Sequence, residues 1–185
     1  KQRGMIIREE IVRTERLHEV ALGMMTAART APKAKGVDVL QIAMFEGDDI
    51  RHLSRKMKEL AEPLGKMFFM RDADNILQAG AVVLIGAKIK PAGLNCGYCG
   101  FPTCAVKEEL QDVPCAFNSI DLGIAIGSAV SFAADSRVDS RVMYSVGEAV
   151  RRLGVMKECN QIIGIPISCT GKSPFFDRPS HTPSR

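Results

Sequence analysis

The chain has no tryptophan and only 2 tyrosines, so it lacks the aromatic platform on which nucleic-acid bases stack. It also has little excess charge of one sign. The 25 Lys and Arg against 21 Asp and Glu leave a formal net charge of +4, interspersed along the chain, which is a poor electrostatic footprint for nucleic acid. Long apolar runs are missing too. The longest mostly apolar stretches, Ile76–Ile89 and Leu122–Ala134, fall short of the roughly 20 residues of a spanning helix, and no apolar signal core follows the start. The expectation is a cytoplasmic chain with neither nucleic acid nor membrane as partner. Histidine is scarce: His18, His52 and His181 are scattered, none at ligand spacing from a cysteine or carboxylate, and they read as solvated surface. No Ser–His–Asp order suggests itself, so no residue is assigned a catalytic role. Gly171-Lys172-Ser173 lacks the earlier glycine of a phosphate loop, since position 166 is proline, and no helix pattern follows it.

What is present is an average globular balance, 46% hydrophobic and 25% charged over 185 residues, enough for one domain with its own core. One domain is expected over residues 5–178, with a short tail at 179–185. No internal repeat divides it. Ile6, Ile7, Ile11, Leu17, Val20, Ala21, Met24, Met25 and Ala28 recur at helical spacing, and Pro32 ends that helix. A strand over Val37–Phe45, a turn and helix cap at Glu46–Asp49, and a second amphipathic helix from Asp49 to about Leu64 follow. Met67–Met70 reads as a short strand and Asp72–Ala79 as a short helix. Ala81–Ile89 reads as a strand covered on both faces. Asn118–Ala134 is apolar almost all round and reads as a buried helix, with Gly123 and Gly127 leaving room for another backbone. Ser140–Leu153 reads as a helix closed by Gly154, and Gln161–Ile167 as a last strand. Helices alternate with strands throughout, which predicts an α/β (α+β layered) domain.

The strongest local signal lies in the Cys-, Gly- and Pro-rich segment 91–116. Cys96, Cys99, Cys104 and Cys115 have the spacing C-x2-C-x4-C-x10-C. Four thiolates are what a cubane cluster requires, one on each iron. Gly97 and Gly100 let the backbone wrap tightly and aim its N–H groups at sulfur, where side chains would obstruct. Pro102 and Pro114 stiffen the loop without adding charge. A structural zinc site also uses four cysteines, but usually as two C-x2-C pairs, and disulfides suit an oxidising compartment. The spacing therefore favours a 4Fe–4S cluster. Cys159 and Cys169 stand apart and read as small buried hydrophobes, with a redox role more open for Cys169 in its polar loop.

Cys96-Gly-Tyr-Cys-Gly-Phe-Pro-Thr-Cys104 resembles the four-cysteine module of corrinoid iron–sulfur proteins and related redox subunits, which ligates a 4Fe–4S cluster. Four blocks in order are similar to the family described as ferredoxin domain-containing protein (domain of unknown function 2148). They are Ala27–Asp38, the cysteine run, Asp121–Ser128 and Gly171–Arg178. Ala27–Asp38 also resembles the segment of flavin nitroreductases in which the loop after the first long helix lines FMN. Lys33, Gly36 and Asp38 stand where that family has Ser, Asn and Gln. The buried helix and the Gly164-Ile165-Pro166 strand end occur in that fold as well. The resemblance implies a nitroreductase-like sheet with helices on both faces, an inserted iron–sulfur loop, and a homodimer.

Arg29, Lys33 and Lys35 flank the end of the first helix, where cations either hold a cofactor phosphate or interact with the helix C-terminus. Lys172 and Arg178 could reach a phosphate from the other end of the chain. Lys33, Lys35, Lys172 and Arg178 are thus the candidate cofactor-binding residues, with FMN as the second candidate cofactor. Two function classes follow. One is a redox enzyme passing electrons between cluster and FMN. The other is a non-enzymatic electron carrier or cluster-bearing accessory subunit, serving a redox partner protein or a small-molecule electron acceptor.

Overall fold

A computed structural model describes residues 6–176. Among them four strands, β1 (Leu40–Phe45), β2 (Ala81–Lys88), β3 (Asp139–Ser140) and β4 (Cys159–Ser168), form one sheet. Its order is β1-β2-β4-β3, with every pairing antiparallel. Helices α1 (Glu9–Thr30), α2 (Gly47–Ala61), α3 (Phe68–Ile76), α4 (Cys104–Glu108), α5 (Ala116–Asp135) and α6 (Tyr144–Leu153) surround it.

Alternation along β2 divides the core in two. Ala81, Val83, Ile85 and Ala87 face one cluster, which holds Val20, Ala21 and Met24 of α1 and Leu122, Ala125 and Ala129 of α5. Val82 and Leu84 face the other, with Leu53 and Met57 of α2, Phe69 of α3 and Val150 of α6. Helices on both faces explain why β2 reads as a continuous apolar run although its neighbours are antiparallel. Each fully buried Val, Leu, Ile, Phe or Met contributes about 1.5–3 kcal/mol. The layered α/β reading is therefore the observed architecture. α6 lies unusually close to β4: a Cβ at Gly147 would sit 1.7 Å from the Ile162 carbonyl oxygen, so that contact admits glycine alone. Gly154 closes α6 in the left-handed conformation, φ 71°, as its position suggested.

Four expectations change. Met67–Met70 is not a strand; it leads into α3, whose inward residues Phe69, Asp72, Ala73 and Ile76 repeat at helical spacing that a four-residue window hides. The short strand β3 carries no apolar pattern and was not foreseen. The first helix begins at Glu9, so Ile6 and Ile7 precede it, and Ile6, Ile7 and Ile11 find no partner layer, being 88%, 64% and 75% exposed. Finally, α5 is buried on one face only. Leu122, Ala125, Ala129 and Ala133 pack inward, while Ile120, Ile124 and Phe132 are exposed, and Gly123 and Gly127 face open space. α5 is 20 residues long and by length and composition apolar enough to cross a membrane, although the apolar runs in the sequence are shorter. Its buried Asn118 and Asp121 nevertheless bond within the chain, to the Lys88 and Lys90 carbonyls and to the Ala34 N–H.

Candidate metal centre

The cysteine loop hangs between β2 and α5, and both of its ends are tied down. Asn118 Nδ2 donates to the carbonyls of Lys88 at 3.0 Å and Lys90 at 2.7 Å, joining the exit of β2 to the first turn of α5. Pro114 then leads into Cys115, the residue that precedes α5. Between these anchors the chain turns repeatedly. Gly97 and Gly100 have φ of 74° and 85°, and the Gly100 N–H donates to the Gly97 carbonyl at 2.9 Å. Space does not require glycine here: a Cβ at Gly97 would be 4.0 Å from the Phe101 carbonyl, and one at Gly100 would meet nothing within 4 Å. Backbone conformation requires it.

Cys96, Cys99, Cys104 and Cys115 line one cavity. Cys96 is exposed, Cys99 and Cys104 are half-buried, and Cys115 is buried. Asn95, with φ 48°, and Cys104 hold each other. The Asn95 N–H points at Cys104 Sγ, 3.3 Å away, and the Cys104 N–H donates to Asn95 Oδ1 at 2.7 Å. Thr103 Oγ1 accepts from the Val106 N–H at 3.3 Å, which starts α4 with Cys104 as its first residue. Among the described residues no three His, Cys, Asp or Glu side chains stand close enough to hold a single ion together.

Two further residues of this wall carry chemistry that the sequence reading passed over. Lys107 lines the thiol cavity and is only 1% exposed; the available signal was its position three residues after Cys104, on one helical face. Phe117 lines the cavity too and stacks on Tyr98, ring centroids 5.6 Å apart at 15°. Tyr98 is exposed, so this ring pair runs from the cavity wall to solvent beside Cys96.

The basic loop after α1 lies next door. Lys33 Nζ donates to the Ala28 carbonyl at 3.0 Å and also to that of Arg29, closing the C-terminal turn of α1. Arg29 bonds Asp38 and the Leu40 carbonyl. Lys35 instead lines a second, open cavity of about 260 Å³ with Val37, Lys90, Pro91 and Asn118. Pro91 and Ala92 belong to both cavities. Asn118 Oδ1 is buried and has no hydrogen-bond partner. Lys172 is exposed on the loop after β4 and does not line this cavity; Arg178 lies outside the described residues.

Cys159 is buried among Gly86 and Met156. Burial pushes its thiol pKa up to about 11, with Lys88 opposing and Glu158 adding to the rise. It is a neutral core residue. Cys169 packs partly buried against the α1–α5 cluster. His18 is not free in solvent: its Nδ1 lies 3.0 Å from the Glu46 carboxylate. His52 is exposed, and His181 lies outside the described residues.

Known proteins resemble this chain at two levels. The chain superposes on the nitroreductase CinD from Lactococcus lactis in complex with nicotinic acid, at TM-score 0.58 and 13% identity, over 92% of this chain and 82% of that one. A nitroreductase with bound FMN from Desulfitobacterium hafniense gives 0.57 and 12%, over 90% and 82%. A BluB-like flavoprotein from Clostridium difficile gives 0.52 and 16%, over 99% and 88%. At these identities the likeness shows the fold, which is that of the nitroreductases. Sequence kinship is nearer. An uncharacterized protein of Archaeoglobus fulgidus is 40% identical over 182 residues, 94% of this chain and 98% of the relative. The family model of ferredoxin-domain proteins matches residues 111–178, a span holding Cys115 and all of β4. The chain belongs to the family described as uncharacterized protein containing a ferredoxin domain (DUF2148).

Proposed function

We propose that the chain is an iron–sulfur redox protein that binds one 4Fe–4S cluster at Cys96, Cys99, Cys104 and Cys115 and transfers electrons through it. The observation that carries this is that Cys96, Cys99, Cys104 and Cys115 all line one cavity. A structural zinc site usually takes its cysteines as two C-x2-C pairs, and this chain has one such pair, Cys96 and Cys99. A cubane takes one thiolate on each of its four irons. The donor set fits: four thiols and no carboxylate line the cavity, and a backbone N–H already points at the sulfur of Cys104. When bound, such a cluster takes up one electron and gives it back. The chain's own part is to fix the thiols on an anchored loop, supply N–H groups to sulfur, and leave one edge, at Cys96 and Tyr98, open to a redox partner protein or small-molecule acceptor. Protein purified without oxygen should carry about four irons and four sulfides per chain and show one broad visible shoulder. Stoichiometric zinc without labile sulfide would overturn this reading.

A flavin is the second cofactor supported, and with it an oxidoreductase rather than a carrier. The observation favouring it is the open cavity holding Lys35 and Lys90, which shares the Pro91–Ala92 wall with the thiols; the similar fold of a nitroreductase with bound FMN supports it. FMN titrated into cluster-loaded protein should change its fluorescence. No change at tens of micromolar leaves the electron carrier. The exposed apolar face of α5, with Ile120, Ile124 and Phe132, supports a homodimer of two-fold symmetry. A monomeric mass by light scattering at micromolar concentration would refute it. Reduced thiols suit a cytoplasmic setting, and the small net charge of +4 gives nucleic acid no particular hold.

A further inference from the structure

Lysine is almost never fully buried without a partner, yet Lys107 is 1% exposed. Its ammonium donates to the Ile89 carbonyl at 3.5 Å, a long bond to a neutral acceptor. Among the described residues no carboxylate forms an ion pair with it. The cavity that it lines has four thiols in its wall and no acidic residue. Lys107 follows Cys104 by three residues in α4, so both side chains share one face of the helix. A cation held there has one natural counter-charge, an anionic group seated among the thiols.

We infer that Lys107 is the built-in counter-cation of the metal centre, a positioning residue that favours the reduced form of the bound cluster. This rests on the cluster reading above. Four thiolates give a 4Fe–4S cluster a net negative charge, and the one electron that it accepts makes that charge larger. A fixed positive charge in a low-dielectric wall stabilises the reduced form more than the oxidised form, which raises the reduction potential. The electron comes from the donor and leaves to the acceptor. Lys107 changes only the balance between the two states. Arginine can fill the same role, whereas a neutral chain of equal length cannot.

The test compares wild type with Lys107→Met, Lys107→Gln and Lys107→Arg. Each is loaded with iron and sulfide without oxygen, assayed for both, and titrated spectroscopically for its midpoint potential. The neutral variants should shift the reduced-to-oxidised ratio at a fixed potential at least tenfold toward oxidised, which is 59 mV for a one-electron couple. Lys107→Arg should stay near wild type. Loss of loading in both neutral variants, with loading kept in Lys107→Arg, reports the same need for charge. Loaded neutral variants with wild-type potentials would overturn the inference, as would loss of loading in all three, which marks Lys107 as packing. Metal-free protein gives a second readout. There the buried charge has no counter-charge, so Lys107→Met should not lower the melting temperature; a clear drop overturns the inference. Failure of wild type to bind iron and sulfide overturns the cluster reading instead, and is distinguishable from every other result.

Discussion

Two loops meet at the Pro91–Ala92 wall, and they treat their reactive side chains in opposite ways. Three cations flank the end of α1, but Arg29 is engaged by Asp38 and the Leu40 carbonyl, and Lys33 by the carbonyls that end α1. Only Lys35 is left to line a cavity. The loop after β2 keeps all four of its thiols on a cavity wall. The contrast is one of competing partners. The last carbonyls of a helix have no partner within the helix, and they attract any cation that can reach back. Thiols are weak donors and weak acceptors, so the backbone holds them only lightly, as the Asn95 N–H does Cys104 Sγ at 3.3 Å. A cationic motif near a helix end therefore says little about ligands, while a thiol motif in a pinned loop says much.

The largest expected effect probes the thiol side. Cys99→Ser should abolish retention of iron and labile sulfide, because a cubane missing one thiolate leaves an iron open to solvent. Cys159→Ser should retain both, since Cys159 lies in the core with its thiol held protonated. Metal analysis of the two variants side by side is decisive, and equal retention would dissolve the contrast between the loops.

The next effects separate Lys33 from Lys35. Lys33 has a side chain only 5% exposed, and losing its charge-assisted bonds in Lys33→Met should cost about 1.5–3 kcal/mol. For a chain of this size that lowers the melting temperature by roughly 2–4 °C per kcal/mol. Lys35→Ala should change stability by less than about 0.5 kcal/mol, as expected of a surface site. If FMN binds beside it, Lys35→Ala should weaken binding by about 1.5–3 kcal/mol. A stable Lys33→Met protein with weakened FMN binding would reverse these assignments.

How far these differences can be read from sequence follows from the range of the interactions. The apolar run Ala81–Ala87 reveals β2 because burial on both faces leaves no polar position before Lys88 at its end. The spacing of four cysteines shows the thiol ring because it depends on local chain geometry. Lys107 and Asn95 stay hidden, since each takes its meaning from what stands opposite: Ile89 and the cavity for one, Cys104 for the other. The exposed face of α5 misleads in the other direction. An all-apolar helix reads as buried, and the chain alone supplies a partner for only one side of it. Lys33 is ambiguous in sequence for the reason given above, and only coordinates show which carbonyls it reaches.

The smallest effect sharpens the cation side. Asp38 ties the loop together: Oδ1 accepts from the Leu40 N–H at 2.9 Å and Oδ2 from Arg29 at 2.5 Å, with Lys33 at 3.9 Å. Burial works against its charge, but the Arg29 guanidinium, the Leu40 N–H and Lys33 outweigh it and hold the carboxyl below the usual range. A depressed carboxylate contributes stability above its unfolded pKa of about 3.9 and loses that contribution as pH falls through its lower folded value. At neutral pH Asp38→Asn should therefore be the less stable protein. The cost is at most about 1 kcal/mol, because Asp38 is a third exposed and water screens the pair. As pH falls below about 4 the gap should narrow, since wild type then loses the charge that the variant already lacks. Denaturant midpoints at about pH 7 and about pH 3 measure this directly. A gap that stays constant across that window would mean that Asp38 acts through hydrogen-bond geometry alone, and that the cations of this loop are held by carbonyls without help from its charge.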